Sequence, residues 1–155
     1  MSHLFRGRFE LKLDPKGRVS LPSAFRSVLN SSSASLVITN SRFQNQNCLH
    51  AYTLVEWQNL EKRLGRLSPL RAEVQAFQRF YIAGGQEAEV DGQSRVLIPQ
   101  SLRTFAGLNA EIVLVGMGDK FELWSGSSWQ VVFEGLTQNF ETTLATVAGL
   151  DEESE

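Results

Sequence analysis

Apolar and polar residues alternate from Phe9 to Leu13: Phe9, Leu11 and Leu13 are separated by Glu10 and Lys12. That period of two predicts a strand with one buried face. Asp14-Pro15-Lys16-Gly17 follows, with Asp, Pro and Gly at the first, second and fourth positions of a type I turn. A second short strand is expected over Arg18 to Leu21, and a short helix after Pro22 that ends near Asn30. Apolar runs then predict strands at 35–39 and 48–52, with a polar loop from about Asn40 to Asn47.

The order of these features returns. Asp14 to Arg26 matches Asp91 to Arg103 at an offset of 77, with Asp, Arg, Val, Pro and the final Arg identical. Asn30 falls on Gly107, both suited to a left-handed helix cap. At the same offset Leu36-Val37-Ile38 falls on Val113-Leu114-Val115. The offset then drops to 72, placing Tyr52 on Trp124 and Trp57 on Trp129. A repeat of this length marks one supersecondary unit used twice.

Helical periods occupy the rest. Thr53-Leu54-Val55-Glu56 is a capping box, and Leu54, Trp57, Leu60, Leu64 and Leu67 recur behind it at helical spacing. Ser68-Pro69 reads as the start of a second helix carrying Leu70, Val74, Phe77 and Tyr81, ended by Gly84-Gly85. Trp129, Val132, Phe133, Leu136, Phe140, Leu144 and Val147 predict one C-terminal helix. The expected organisation is repeat 1 at 8–54, a helical connector at 55–83, repeat 2 at 84–127, a C-terminal helix at 128–150 and a frayed acidic tail at 151–155. These stripes serve a core or pack between subunits, and the pattern alone does not separate the two.

Charge is unevenly distributed along the chain. The 155 residues carry a net charge of −2. Residues 1–79 carry +7 and residues 80–155 carry −9. The basic half suggests a polyanionic partner; the alternative is packing of basic against acidic halves. Around the first turn stand Arg6, Arg8, Lys12, Lys16, Arg18 and Arg26. Arg6 and Arg8 share strand parity with Lys12 if the strand reaches that far. A two-stranded ribbon fits the DNA major groove, where arginine reads guanine and lysine neutralises phosphate. Arg6, Arg8, Lys12, Lys16 and Arg18 are therefore the candidate DNA contacts. Asp14, Gly17, Asp91 and Arg95 are read as structural turn residues, with Asp14 and Asp91 bonding the turn backbone. Arg18 either contacts DNA, the preferred reading, or pairs with Asp14. Arg95 lies among Glu87, Glu89 and Asp91, a setting that repels phosphate, so a structural or subunit contact is expected there.

Other chemistry is sparse. Cys48 is the one cysteine, so no intrachain disulfide forms. Cys48 and His50 make a Cys-x-His pair, but zinc needs more ligands, and His3 is the one other histidine. No metal and no cofactor are expected. Gly116-Met117-Gly118 lacks the third glycine of a dinucleotide fingerprint and reads as a turn. Gly84-Gly85-Gln86 reads as a helix end. No Ser/His/Asp or Cys/His catalytic constellation is evident, so a non-enzyme is expected. No apolar run reaches about 18 residues, so no membrane span or signal peptide is expected.

The doubled Asp-x-x-Gly-Arg turn followed by apolar-Pro resembles the SpoVT–AbrB superfamily. Phe5-Arg6-Gly7, the block Leu13 to Pro22 and the block Asp91 to Pro99 together resemble the MraZ family. The resemblance implies an α+β, β-rich fold: two tandem repeats forming a pseudo-dimeric swapped-hairpin barrel with flanking helices. It implies a cytoplasmic, nucleoid-associated, ring-like homo-oligomer, an octamer or similar. It implies a regulator, usually a repressor, of the division and cell-wall gene cluster that includes its own gene, binding short direct repeats in double-stranded promoter DNA. The family's DNA-contacting arginine maps onto Arg18, and its early Arg-Gly onto Arg6-Gly7. One departure is Ser94, where the second motif lacks its glycine; either that turn differs or Gly92 takes the unusual conformation. An AbrB-like interaction or antitoxin-type module is the alternative function.

Overall fold

A computed structural model describes residues 4–29 and 35–153. Six α-helices and eight strands are present among them, in an order that repeats itself. The first repeat supplies β1 (Arg8–Lys12), β2 (Arg18–Ser20), α1 (Ser23–Leu29), β3 (Ser35–Phe43) and β4 (Gln46–Thr53). Next come α2 (Leu54–Leu64), α3 (Ala72–Phe77) and a π-helical stretch, Gln78–Ile82. The second repeat supplies β5 (Gln86–Glu89), β6 (Arg95–Leu97), α4 (Gln100–Ala106), β7 (Glu111–Gly116) and β8 (Lys120–Ser125). Helices α5 (Gly126–Gln138) and α6 (Phe140–Glu153) follow.

The expected α+β character is present, and no closed barrel is found among the described residues. Six strands form an antiparallel sheet in the order β1-β7-β8-β4-β3-β5, and β2 pairs with β6 in a separate two-stranded ribbon. The Asp14 turn therefore joins a strand of the large sheet to a strand of the ribbon instead of closing an ordinary hairpin. Each short strand after a turn finds its antiparallel partner in the other repeat, which leaves β1 and β5 as sheet edges.

The repeats are interleaved. β1 pairs with β7 and β5 with β3, so each repeat lends an edge strand to the other. Val19 faces Val96 across the ribbon, and His50 faces Glu122 across β4 and β8. Both pairs join residues at equivalent positions of the two repeats, so the pairing pattern exchanges onto itself about those two points. Interleaving also mixes the charge: Lys12 of the basic half lies opposite Glu111 of the acidic half.

The main core lies between the ribbon, α1, α4 and one face of the large sheet. Phe25 is fully buried, with ring centres 5.1 Å from Phe5 and 4.8 Å from Phe121. Strand alternation sorts the remaining residues. Leu36, Ile38, Leu49, Ala51, Ile112, Leu114, Phe121 and Leu123 enter this core. Val113 and Trp124 on the reverse face pack against α5, and Val37 and Tyr52 against Trp57 and Tyr81.

That sorting corrects the repeat alignment. Leu36 and Ile38 share the core with Ile112 and Leu114, so the offset in β3 and β7 is 76, not 77. A one-residue slip would send every side chain to the wrong face. Several boundaries move as well. The polar stretch 40–47 is largely strand, because Gln44 (φ 50°) and Asn45 (φ 65°) make a two-residue turn between β3 and β4. Left-handed conformations at both central residues match the twist of the flanking strands. Thr53 Oγ1 accepts from Glu56 N at 3.2 Å, as the capping box requires. The Ser68 hydroxyl instead accepts from Leu70 N, and α3 starts later, at Ala72. The C-terminal helix is two helices that break at Asn139 (φ −104°), and α6 takes in Asp151–Glu153. Gly107 caps α4 at φ 63°; its counterpart Asn30 lies outside the described residues.

Candidate nucleic-acid interface

The two Asp–Arg turns are built alike. Asp14 Oδ1 accepts from the backbone N–H groups of Lys16 (2.9 Å) and Arg18 (2.8 Å), and Asp14 Oδ2 accepts from Arg18 Nε at 2.8 Å. Asp91 repeats all three bonds, from Gln93 N (2.9 Å), Arg95 N (2.9 Å) and Arg95 Nε (3.0 Å). The backbone N–H of Arg18, more than its side chain, holds the Asp14 carboxyl below the usual carboxylate range. The N–H of Arg95 does the same for Asp91.

The fourth turn residue is left-handed in both: Gly17 at φ 88° and Ser94 at φ 61°. The second turn therefore does not differ, and Gly92 does not take over. Ser94 accepts the strained conformation because the Asp91 bonds fix the backbone on either side of it. The turns also interlock: Leu21 N donates to Ser94 O at 3.0 Å, and Ile98 N donates to Gly17 O at 2.9 Å.

These bonds set the outer face of the ribbon. Val19 and Val96 are both 1% exposed and point into the core. Their neighbours Arg18, Ser20, Arg95 and Leu97 therefore share the opposite face. Arg18 pairs with Asp14 through Nε, so the pairing foreseen as an alternative is formed. It engages one of the five guanidinium N–H donors, and the side chain stays 31% exposed. Lys16 is exposed at the tip of the turn.

The other predicted cations are placed apart. Arg8 and Lys12 lie on the outer face of β1, as their parity requires, beside Glu10. With Trp129 and Phe133 of α5 they line an open groove of about 1230 Å³. The Arg8 guanidinium sits 4.8 Å from the centre of the Phe133 ring. Arg6 precedes β1, and the parity argument does not extend to it, because Gly7 at φ 100° turns the chain. Arg6 passes the β7–β8 turn, where a Cβ on Gly116 would meet its Cα at 2.5 Å. Arg6 lies before the start of β1, at the end of the strand away from the Asp14 turn. The structure thus joins Lys16 and Arg18 but not Arg6.

One cation near the first turn was not singled out by the sequence. Arg103 donates from Nε to Ile98 O at 2.9 Å, and its guanidinium covers Gly17 so closely that a Cβ there would lie 2.4 Å from Cζ. Its match to Arg26 in the repeat was the available signal. On the reverse face of the large sheet a second polar cluster gathers Cys48, His50, Tyr52, Tyr81 and Glu122. Its members come from β4, the π-helical stretch and β8, so spacing along the chain does not reveal it.

Two interleaved repeats, each presenting one Asp–Arg turn to a shared ribbon, define a tandem-repeat protein whose likeness lies in the doubled motif. A family model described as "MraZ protein, putative antitoxin-like" matches residues 4–80 and again 81–150. The chain is 42% identical to "Transcriptional regulator MraZ" of Acetivibrio thermocellus, over 82% of this chain and 85% of that one. It is 39% identical to the protein of the same name from Nitrosospira multiformis, over 84% and 88% of the two chains. A third, from Leuconostoc citreum, is 36% identical over 89% and 92%. The chain belongs to the MraZ family.

Proposed function

We propose that the chain is a sequence-specific transcriptional regulator that binds double-stranded promoter DNA through the outer face of the β2–β6 ribbon. The observation that carries this reading is the placement of Arg18. Asp14 accepts from the backbone N–H of Lys16, the backbone N–H of Arg18 and Arg18 Nε, which holds both the turn leading into Arg18 and its guanidinium. Neighbouring Lys16 and Arg103 add positive charge. A pre-organised guanidinium loses less conformational freedom on binding, and a two-stranded ribbon has the dimensions of the major groove. The relatives' shared name agrees with this reading.

Within it, Arg18 reads base edges and Lys16 contacts phosphate. Arg8 and Lys12 flank the site on another surface, and Arg6 serves a separate contact. The target is the promoter of the division and cell-wall cluster that includes its own gene, and the usual outcome is repression. Self-association into a ring suits short direct repeats, because linked weak contacts gain affinity through effective concentration. The apolar stripe of α6 supports self-association: Phe140, Leu144, Val147 and Leu150 are each more than half exposed. No described helix is long and apolar enough to cross a membrane, and the proposed location is the cytoplasm, on the nucleoid.

The test is a mobility shift with the DNA upstream of the chain's own gene, against a scrambled sequence of equal length. Specific retention at moderate salt supports the reading. Equal affinity for both DNAs, or none for either, overturns it.

A further inference from the structure

Cys48, His50 and Glu122 place a thiol, an imidazole nitrogen and a carboxylate oxygen within 4.8 Å of one another on the reverse face of the large sheet. We infer that these three side chains form a zinc-type divalent metal site joining the two repeats. Cys48 and His50 stand on β4 of the first repeat and Glu122 on β8 of the second, with His50 directly opposite Glu122.

The outer hydrogen bonds are those of metal ligands. His50 Nδ1 lies 2.6 Å from the Tyr81 hydroxyl, which leaves Nε2 as the inward atom. Glu122 Oε1 accepts from Trp124 Nε1 at 2.9 Å, which leaves Oε2 inward. Nε2 and Oε2 are 3.1 Å apart. Two ligands on one tetrahedral zinc, with bonds of about 2.0–2.2 Å, stand roughly this far apart. Orientation of each ligand by a partner on its far side is the usual outer shell of such a site. A thiolate and a carboxylate neutralise a divalent ion, so the buried charge balances. Cys48 is fully buried, and burial pushes its thiol up to about 12; metal binding therefore displaces a proton. The His50 and Glu122 side chains remain 13% and 12% exposed, which gives an ion its entry and a fourth position for solvent. The Cys-x-His pair was visible in the sequence; the third ligand lies 72 residues beyond His50.

The experiment is titration of the full chain, stripped with a chelator, with cobalt(II) and then zinc(II). Cys48 is the one cysteine, so a thiolate-to-cobalt charge-transfer band in the near ultraviolet reports this site. The expected result is a band that saturates at one cobalt per chain, is erased by zinc, and is accompanied by proton release. Glu122→Gln keeps the acceptor for Trp124 and weakens binding, and Tyr81→Phe weakens it roughly 10–100-fold. Cys48→Ser loses the band and the rise in melting temperature with zinc. Absence of the band from the wild-type chain overturns the inference and leaves a hydrogen-bonded cluster. Equal zinc affinity in wild type and Cys48→Ser also overturns it, because the metal then binds elsewhere. Should Cys48→Ser fail to fold, the wild-type titration decides alone.

Discussion

Arg18 and Arg95 share the outer face of one two-stranded ribbon: Arg18 lies opposite Leu97, and Arg95 lies opposite Ser20. The sequence placed them in separate turns with separate duties. The fold sets them around the Val19–Val96 pair, one from each repeat, each tied to its own aspartate. What distinguishes them is the company they keep. Arg103 covers Gly17 and Lys16 flanks Arg18, whereas Gln93 takes the place of that lysine beside Arg95.

Arg18→Ala is expected to weaken specific DNA binding by about 1–3 kcal/mol, roughly 5- to 150-fold. Gel filtration should show the wild-type assembly. Arg95→Ala should cost less. Normal affinity in Arg18→Ala would remove the assignment, and equal losses in the two variants would show that both turns contact DNA. Fluorescence anisotropy with promoter DNA at two salt concentrations measures both, and affinity should fall steeply with salt.

Gly17 and Ser94 should respond in opposite directions. Gly17→Ala meets a left-handed penalty of roughly 1–2 kcal/mol and also a collision with Arg103. Ser94→Gly relieves the same penalty and should stabilise by up to about 1 kcal/mol, since glycine's greater unfolded-chain freedom offsets part of the gain. Chemical denaturation of the two variants against wild type checks the signs.

Acid should loosen both turns. Asp14 and Asp91 have folded pKa values below their ordinary ones. Their contribution is complete above the unfolded value of about 3.9 and is lost as pH falls through the folded values. Asp14→Asn with Asp91→Asn should flatten the fall of melting temperature below about pH 4. An unchanged acid limb would place the acid sensitivity elsewhere, with Glu122 the next group to test. Burial raises that carboxyl, but hydrogen bonds from His50 and Trp124 outweigh burial and leave it low.

Leu144→Glu combined with Val147→Glu should reduce the size of any assembly, because both side chains are exposed on α6. Sedimentation velocity reads the mass. An unchanged mass would assign self-association to another surface, such as the groove between β1 and α5.

The periodicities by themselves determined that a strand, an Asp–Arg turn, a short helix and a strand pair occur twice, and that Thr53 caps α2. These are local matters: turn chemistry, capping and alternation act over a few residues. Tertiary structure decided the rest, because it depends on which strands find each other. The pairing of β2 with β6 put Arg18 and Arg95 on one face and drew Arg103 onto Gly17. The register of β3 corrected the offset to 76 by sending Leu36 to the core. The pairing of β4 with β8 brought Glu122 to His50, a contact between residues too far apart in the chain for any local pattern to reveal. The two Asp–Arg turns were thus legible from residue type. Their shared surface was not, since only the interleaving of the repeats created it.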